Sequence, residues 1–266
     1  MRRLLIAILL IHAPGFAHGG PPADPLGSPM WPDMVERLLG GGPVVFDDKV
    51  SVIVPSVVEN QAQVPVTADA RRLPGVAKLV VFADLNPIQH VLSLTPGQSA
   101  PYVSFRMKVE QTTPVRAAAL TSDGVWHVGG VNLEAAGGGC SAPAMARNEE
   151  SWSVTLGQAQ GRIWRDAPGL ARVRLRMRHP MDTGLARDNT PAFYIEHISL
   201  SARAGSPLVK LEMFEPVSED PTVTLIVPLS ASESGLDVEG RDSNGGIYRS
   251  TIPTPWRQGN AESPRG

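Results

Sequence analysis

The chain has 266 residues with 24 basic and 26 acidic side chains, a formal net charge of -2. That balance gives no electrostatic case for nucleic acid or an anionic membrane surface as a partner. Its 26 glycines and 25 prolines are spread along the chain, which favours short strands joined by turns over long helices.

In chain order, Arg2 and Arg3 precede an apolar run from Leu4 to Ile11, broken by Pro14 and Gly15 and followed by Ala17. This pattern predicts a secretory signal over residues 1–17 and an exported, periplasmic protein. The run is too short to span a bilayer, so no membrane insertion is expected. Residues 20–30 are a Pro/Gly-rich lead. Trp31–Leu39 reads as one short amphipathic helix, with Pro32 in its first turn and Gly40 to Gly42 ending it.

From Phe46 the period changes to two. Strands are expected over Lys49–Pro55, Gln63–Ala70, Lys78–Asp84, His90–Leu94, Tyr102–Glu110, Val115–Thr121 and Val125–Leu133, with Pro65 marking an edge position. Seven strands at hairpin spacing indicate an antiparallel sandwich of immunoglobulin-like size over residues 31–136.

Residues 137–170 lack this periodicity and read as a cysteine-bearing linker, with a short sheet-pairing segment near Ser151–Leu156. Six further strands are expected over Ala171–His179, Ala192–Ala202, Pro207–Phe214, Thr222–Pro228, Leu236–Asp242 and Ile247–Ile252. Asn244-Gly245 supplies a hairpin turn. The fold class is therefore all-β: two immunoglobulin-like antiparallel β-sandwich domains, the second over 171–252, with one short N-terminal helix. Residues 253–266 read as a polar tail.

The only cysteine, Cys140, lies in GGGCSAPA. In an exported protein a single cysteine is a free thiol, a mixed disulfide or an adduct site. Gly137, Gly138 and Gly139 contribute nothing to a core, and Pro143 discourages a strand, so an exposed, mobile loop is expected. None of the six histidines stands at metal-ligand spacing with another His or Cys, and no GxSxG elbow or phosphate loop is present. No catalytic residue, metal or resident cofactor is assigned. Asp84 and Asn86 in ADLNP read as turn formers, and His179 and Met181 as structural or interface residues. What remains is a carrier arm, a thiol on glycines with about 25 Å of extended reach.

Several stretches resemble a known pair of families. VPSVVENQAQVPVTADA, the DLNP turn, RMKVEQTTPVRAAALTSDG and the glycine-flanked cysteine are similar to SoxY, the sulfur-carrying subunit of periplasmic thiosulfate oxidation. RLRMRHPMDTG, IEHISLSARAG and the turn from Asp242 to Gly245 are similar to SoxZ, its partner. The resemblance implies a fused SoxY–SoxZ-like carrier whose two immunoglobulin-like halves pair within one chain. It implies Cys140 as the attachment point for a covalent sulfur adduct, with Gly137, Gly138 and Gly139 as a swinging arm. The implied partners are periplasmic redox or sulfur-processing enzymes, among them a quinoprotein dehydrogenase. In the family the cysteine arm closes the chain. Here Ser141, Ala142 and Pro143 follow, and the arm is tethered at both ends.

Overall fold

The computed structural model describes residues 20–148, 152–203, 205 and 207–256. The expected signal at 1–17 and most of the polar tail lie outside the described residues.

Helix α1 spans Trp31–Leu39. Pro32 occupies its first turn, and Gly40 ends it in the left-handed region at φ 64°. That conformation costs a glycine nothing sterically. Trp31, Met34, Val35 and Leu39 make its buried side.

The first half contributes β1 (Val44–Phe46), β2 (Ser51–Ile53), β3 (Val64–Asp69), β4 (Val76–Ala83), β5 (His90–Thr95), β6 (Tyr102–Met107), β7 (Thr113–Thr121) and β8 (Trp126–Leu133). A 3₁₀ turn at Met145–Asn148 and the one-turn helix α2 (Trp152–Thr155) follow. The second half contributes β9 (Ala159–Ala167), β10 (Leu170–Met177), β11 (Ile195–Ala202), β12 (Pro207–Met213), β13 (Thr222–Pro228), β14 (Gly235–Asp242) and β15 (Ile247–Pro253).

These strands form two sheets, and both run through the two halves. The nine-stranded sheet has the order β1-β8-β7-β4-β5-β12-β11-β14-β15, and the six-stranded sheet β2-β3-β6-β13-β10-β9. The halves join where β5 pairs antiparallel with β12, Leu94 opposite Leu211. They join again where Thr224 of β13 lies opposite Ser104 of β6. One hydrophobic core fills the space between the sheets, from Val50 to Ile252. The all-β immunoglobulin-like architecture is as expected, and strand pairing and a shared core unite its two halves.

The alternation explains the layering. In β10 every second residue (Ala171, Val173, Leu175, Met177) is buried, and the intervening residues are exposed. Helix α1 covers the outer side of the larger sheet, on Val80, Phe82, Ala118, Trp126 and Val128.

Three local expectations are corrected. β1 pairs parallel with β8, Val45 opposite His127, in a stretch too short to show periodicity. β9 lies inside the stretch expected to lack strands. Its inward positions include Gly161, which packs where a Cβ would meet Ile252, so Ile163 is its one buried apolar residue and the alternation is faint. Trp152–Thr155 is helical and not a sheet-pairing segment. Pro65 is unpaired on the β2 side, because β2 reaches only to Ile53 opposite Thr67. That local edge accommodates its missing N–H.

Candidate functional site: the Cys140 seam

After β8 the chain turns back along the residues that follow β6. The Gly138 N–H donates to the Glu110 carbonyl at 3.3 Å, and the Gly139 N–H to the Val109 carbonyl at 3.0 Å. A Cβ on Gly139 would stand 2.1 Å from the Gln61 carbonyl oxygen, and one on Gly137 would stand 2.5 Å from that of Glu110. The glycines are therefore required for close approach of backbone to backbone. Gly138, at φ 88°, faces open space.

Glu110 grips the next turn. Its Oε2 accepts the N–H groups of Cys140 at 2.9 Å and Ser141 at 3.0 Å. Its Oε1 accepts the Ser141 hydroxyl at 2.9 Å. Asn86 braces the strand end beneath: its Nδ2 donates to the Lys108 carbonyl at 3.0 Å, and its Oδ1 accepts the Glu110 N–H at 3.0 Å. The Cys140 thiol points at the Lys108 carbonyl, with Sγ 3.7 Å from the oxygen.

The second half closes over this turn with the HPMDTG segment. Thr183 Oγ1 donates to the Cys140 carbonyl at 2.6 Å. Met181 sits at φ 53°, an unusual conformation for a side-chain-bearing residue. Its N–H donates to His179 Nδ1 at 3.0 Å. That bond makes Nδ1 the acceptor and places the ring proton on Nε2. Lys108 Nζ donates to the Met181 carbonyl and, at 3.4 Å, to that of Glu215. Downstream, the Ala146 N–H donates to Glu219 Oε2 at 3.1 Å, and Arg147 Nε donates to Asp182 Oδ2 at 2.9 Å.

Cys140 is consequently 0% exposed. The expected exposed, mobile loop is corrected: the glycines seat the cysteine instead of displaying it, and residues from both halves cover it. Burial pushes the thiol up to about 12; Lys108 opposes this and Glu110 adds to it. Burial also lowers Lys108 to about 8, with Cys140 and nearby carboxylates opposing, and lowers His179 to about 4. At neutral pH the seated thiol keeps its proton, and the thiolate is the nucleophilic form. Closed, the site protects the sulfur.

Gly137, Gly138, Gly139 and Cys140 thus lie together at one seam, and HPMDTG stands at the interface as expected. Sequence reasoning missed Lys108, Glu110, Asn86 and Thr183. The alternation carries on through Lys108 and Glu110, but the strand stops at Met107. Asn86 has the composition of a turn former. The signal available was the polar pair Lys108 and Glu110 flanking Val109 where the strand ends.

This arrangement defines a two-half β-sandwich protein with one thiol seated between its halves. Family comparison gives that class its name. Residues 35–140 match the model "Sulfur oxidation protein SoxY", and residues 165–253 match "Sulphur oxidation protein SoxZ". The chain belongs to these sulfur-oxidation families and carries both in one polypeptide, as a fused SoxYZ-like protein. The SoxY match ends on Cys140 itself.

Among solved structures, the sulfur carrier protein SoxY from Chlorobium limicola f thiosulfatophilum is similar at 22% identity and a TM-score of 0.35. That match covers 40% of this chain and 94% of the other. A beta-glycosidase from Bacteroides vulgatus is similar at 9% identity and a TM-score of 0.23, over 78% of this chain and 25% of the other. No curated protein matches the chain. Among the described residues no helix is long and apolar enough to cross a membrane.

Proposed function

We propose that this chain is a periplasmic carrier that holds sulfur compounds or other thiol-reactive intermediates covalently on Cys140 and presents them to partner enzymes. The observation that carries this reading is the position of Cys140. It is the only cysteine, it ends the SoxY match, and it sits on a turn outside the strands, held by side-chain hydrogen bonds from Glu110 and Thr183 and by two backbone bonds from Gly138 and Gly139. None of these bonds belongs to a strand ladder, and each contributes about 1 kcal/mol net, or about 1.5–3 for those to the Glu110 carboxylate, so the turn can open without unfolding either sheet. Once open, the thiol returns towards its ordinary value of 9.0.

The carrier leaves the chemistry to its partner. Joining the Cys140 thiol to thiosulfate forms one S–S bond, breaks the S–H bond, and releases one proton and two electrons. The partner must accept those electrons, which fits a periplasmic redox enzyme, a quinoprotein dehydrogenase among them. Glycines 137–139 then act as the hinge of the opened segment.

Intact-mass measurement of the protein isolated from its own cells during growth on reduced sulfur tests this reading. A mass addition on Cys140, absent from Cys140→Ser, is the expected result. Only unmodified thiol, together with an unaltered phenotype in Cys140→Ser, would sink it. A second reading draws on the burial of the thiol: the protein is a non-catalytic binding module of a periplasmic dehydrogenase system, and Cys140 packs as a small apolar side chain. It requires Cys140→Ser to keep both partner binding and function.

A further inference from the structure

The near-neutral net charge conceals one concentrated patch. On the outer face of the six-stranded sheet, β10 presents Arg172, Arg174 and Arg176, all exposed. On β9, Arg162 stands directly opposite Arg174, and Trp164 directly opposite Arg172. Two strands further across, Arg106 of β6 shares the face; one hollow of about 520 Å³ is lined by Arg106, Arg162, Arg174, Arg176 and Trp164. Asp220 is committed to Arg176 at 2.6 Å and Arg178 at 2.7 Å. Among the described residues, Arg106, Arg162, Arg172 and Arg174 form no ion pair. Arg162 and Arg172 instead lie over the Trp164 ring, 5.8 and 5.5 Å from its centroid.

Like charges directly opposite one another across a sheet destabilise it. Among the described residues neither Arg162 nor Arg174 forms an ion pair, although Glu219 and Asp220 line the same hollow. Arginine and tryptophan are also the side chains that most often anchor protein interfaces. We infer that this arginine face docks a partner protein through a carboxylate-rich surface.

The patch spans about three strand spacings by four residues, roughly 14 by 13 Å. Its arginines come from three strands, β6, β9 and β10, and exposed Arg172 lies outside the lining of the hollow, so the charge extends beyond that one concavity. A patch larger than a single small oxyanion favours a surface carrying several carboxylates. The face also adjoins the thiol seam. Glu219, on the rim of the hollow, accepts the Ala146 N–H of the segment that follows Cys140. Ser218 on the same rim donates to the Ala62 carbonyl, next to the Gln61 carbonyl that backs Gly139. That the docked protein is the enzyme loading or unloading Cys140 rests on the carrier reading; the docking of carboxylates does not.

The test titrates the full chain with labelled decaglutamate, followed by anisotropy. Binding at low salt is expected, weakening at least tenfold towards 0.2 M salt. A comparable loss is expected in Arg162→Gln/Arg174→Gln, with binding kept in Arg249→Gln on the other sheet. The double variant should remain folded, with Tm raised by about 1–3 °C at low salt as the like-charge pair is removed. Absence of binding at low salt overturns the proposal, as does an equal loss in Arg249→Gln. Displacement by inorganic sulfate at matched ionic strength overturns it in favour of a small-oxyanion site. Equal affinity for oligothymidylate overturns it in favour of non-selective polyanion binding. Cys140→Ser leaves decaglutamate binding unchanged, so absence of a Cys140 adduct would remove the carrier reading and leave this one standing.

Discussion

The Thr183 hydroxyl donates a 2.6 Å hydrogen bond to the carbonyl of Cys140, so the SoxZ half holds shut the site that belongs to the SoxY half. The donor and acceptor are buried and 43 residues apart in sequence. Thr183→Val keeps the shape and removes the hydroxyl, so the Cys140 carbonyl and the Leu185 N–H each lose a partner. The loss of the buried bond to Cys140 alone costs about 1–1.5 kcal/mol. Because 1.4 kcal/mol is a factor of ten, a thiol reagent that reacts only through the opened turn should label Cys140 about tenfold faster. Labelling kinetics with a disulfide reagent measure this. An unchanged rate, with the fold intact, would show that Thr183 does not control opening.

Gly139 tests whether the glycines seat the thiol or merely lengthen its tether. Its φ is not in the left-handed region, so alanine there is a purely steric probe. The new Cβ would meet the Gln61 carbonyl oxygen at 2.1 Å and that of Val109 at 2.7 Å, both rigid backbone. Gly139→Ala should lever the turn out of the seam and accelerate Cys140 labelling by well over tenfold. Gly138→Ala meets no atom within 4 Å, but it pays for its φ of 88° and should have the smaller effect. Equal rates for both variants would mean that the glycine run is only a flexible tether.

The buried thiol makes stability fall in alkali. Burial first, aided by Glu110 and opposed by Lys108, holds Cys140 at about 12 against an ordinary 9.0. Between those values the unfolded chain has lost a proton that the folded chain keeps, so stability declines as pH rises from about 9 towards 12. Lys108 acts in the opposite sense. Burial lowers it from 10.5 to about 8, so the folded state sheds its proton first and stability rises across that window. The two contributions oppose each other where they overlap, between about 9 and 10.5, and the cysteine prevails above. Urea midpoints measured against pH should show Cys140→Ser losing the decline that begins near 9 and keeping only the part above about 10, where burial holds Tyr248 and Tyr194 above their ordinary value, and Lys108→Met lacking the rise that begins near 8. Parallel pH profiles for wild type and both variants would overturn the assignment.

Helix α1 and most of the strands were legible because their buried residues recur at the periods 3.6 and 2. Trp31, Met34, Val35 and Leu39 mark one side of a helix, and Ala171, Val173, Leu175 and Met177 one side of a strand. The joining of the sheets was not legible. The Leu94–Leu211 pairing links residues far apart, and an inward leucine looks the same whether its neighbour comes from its own half or the other. The site failed for a related reason. Missing side chains at Gly137 and Gly139 read as freedom, whereas the adjacent backbones of Glu110 and Gln61 occupy that space. Glycine provides mobility or close approach, and only the tertiary neighbour distinguishes them.

Arg116 of β7, on the outer side of the nine-stranded sheet, offers a control. It is fully buried beneath α1, with Nε 3.0 Å from both oxygens of Asp84 and an Nη 2.7 Å from Asp24. Its guanidinium lies 4.6 Å from the Trp31 ring centroid. Burial holds the Asp84 carboxyl above its usual range even though Arg116 pulls it down. Arg116→Met fills similar space and leaves two carboxylates without their cation. Breaking a buried pair in this way costs about 3–5 kcal/mol, read as a lower urea midpoint. The loss should lessen as pH falls and the stranded carboxylates take up protons. The Cys140 labelling rate under native conditions should stay near wild type, because none of the hydrogen bonds that hold the turn involves Arg116, Asp84 or Asp24. A large acceleration would show that the turn opens only when the whole sheet unfolds, and that the hydrogen bonds of Glu110 and Thr183 do not govern exposure of the thiol.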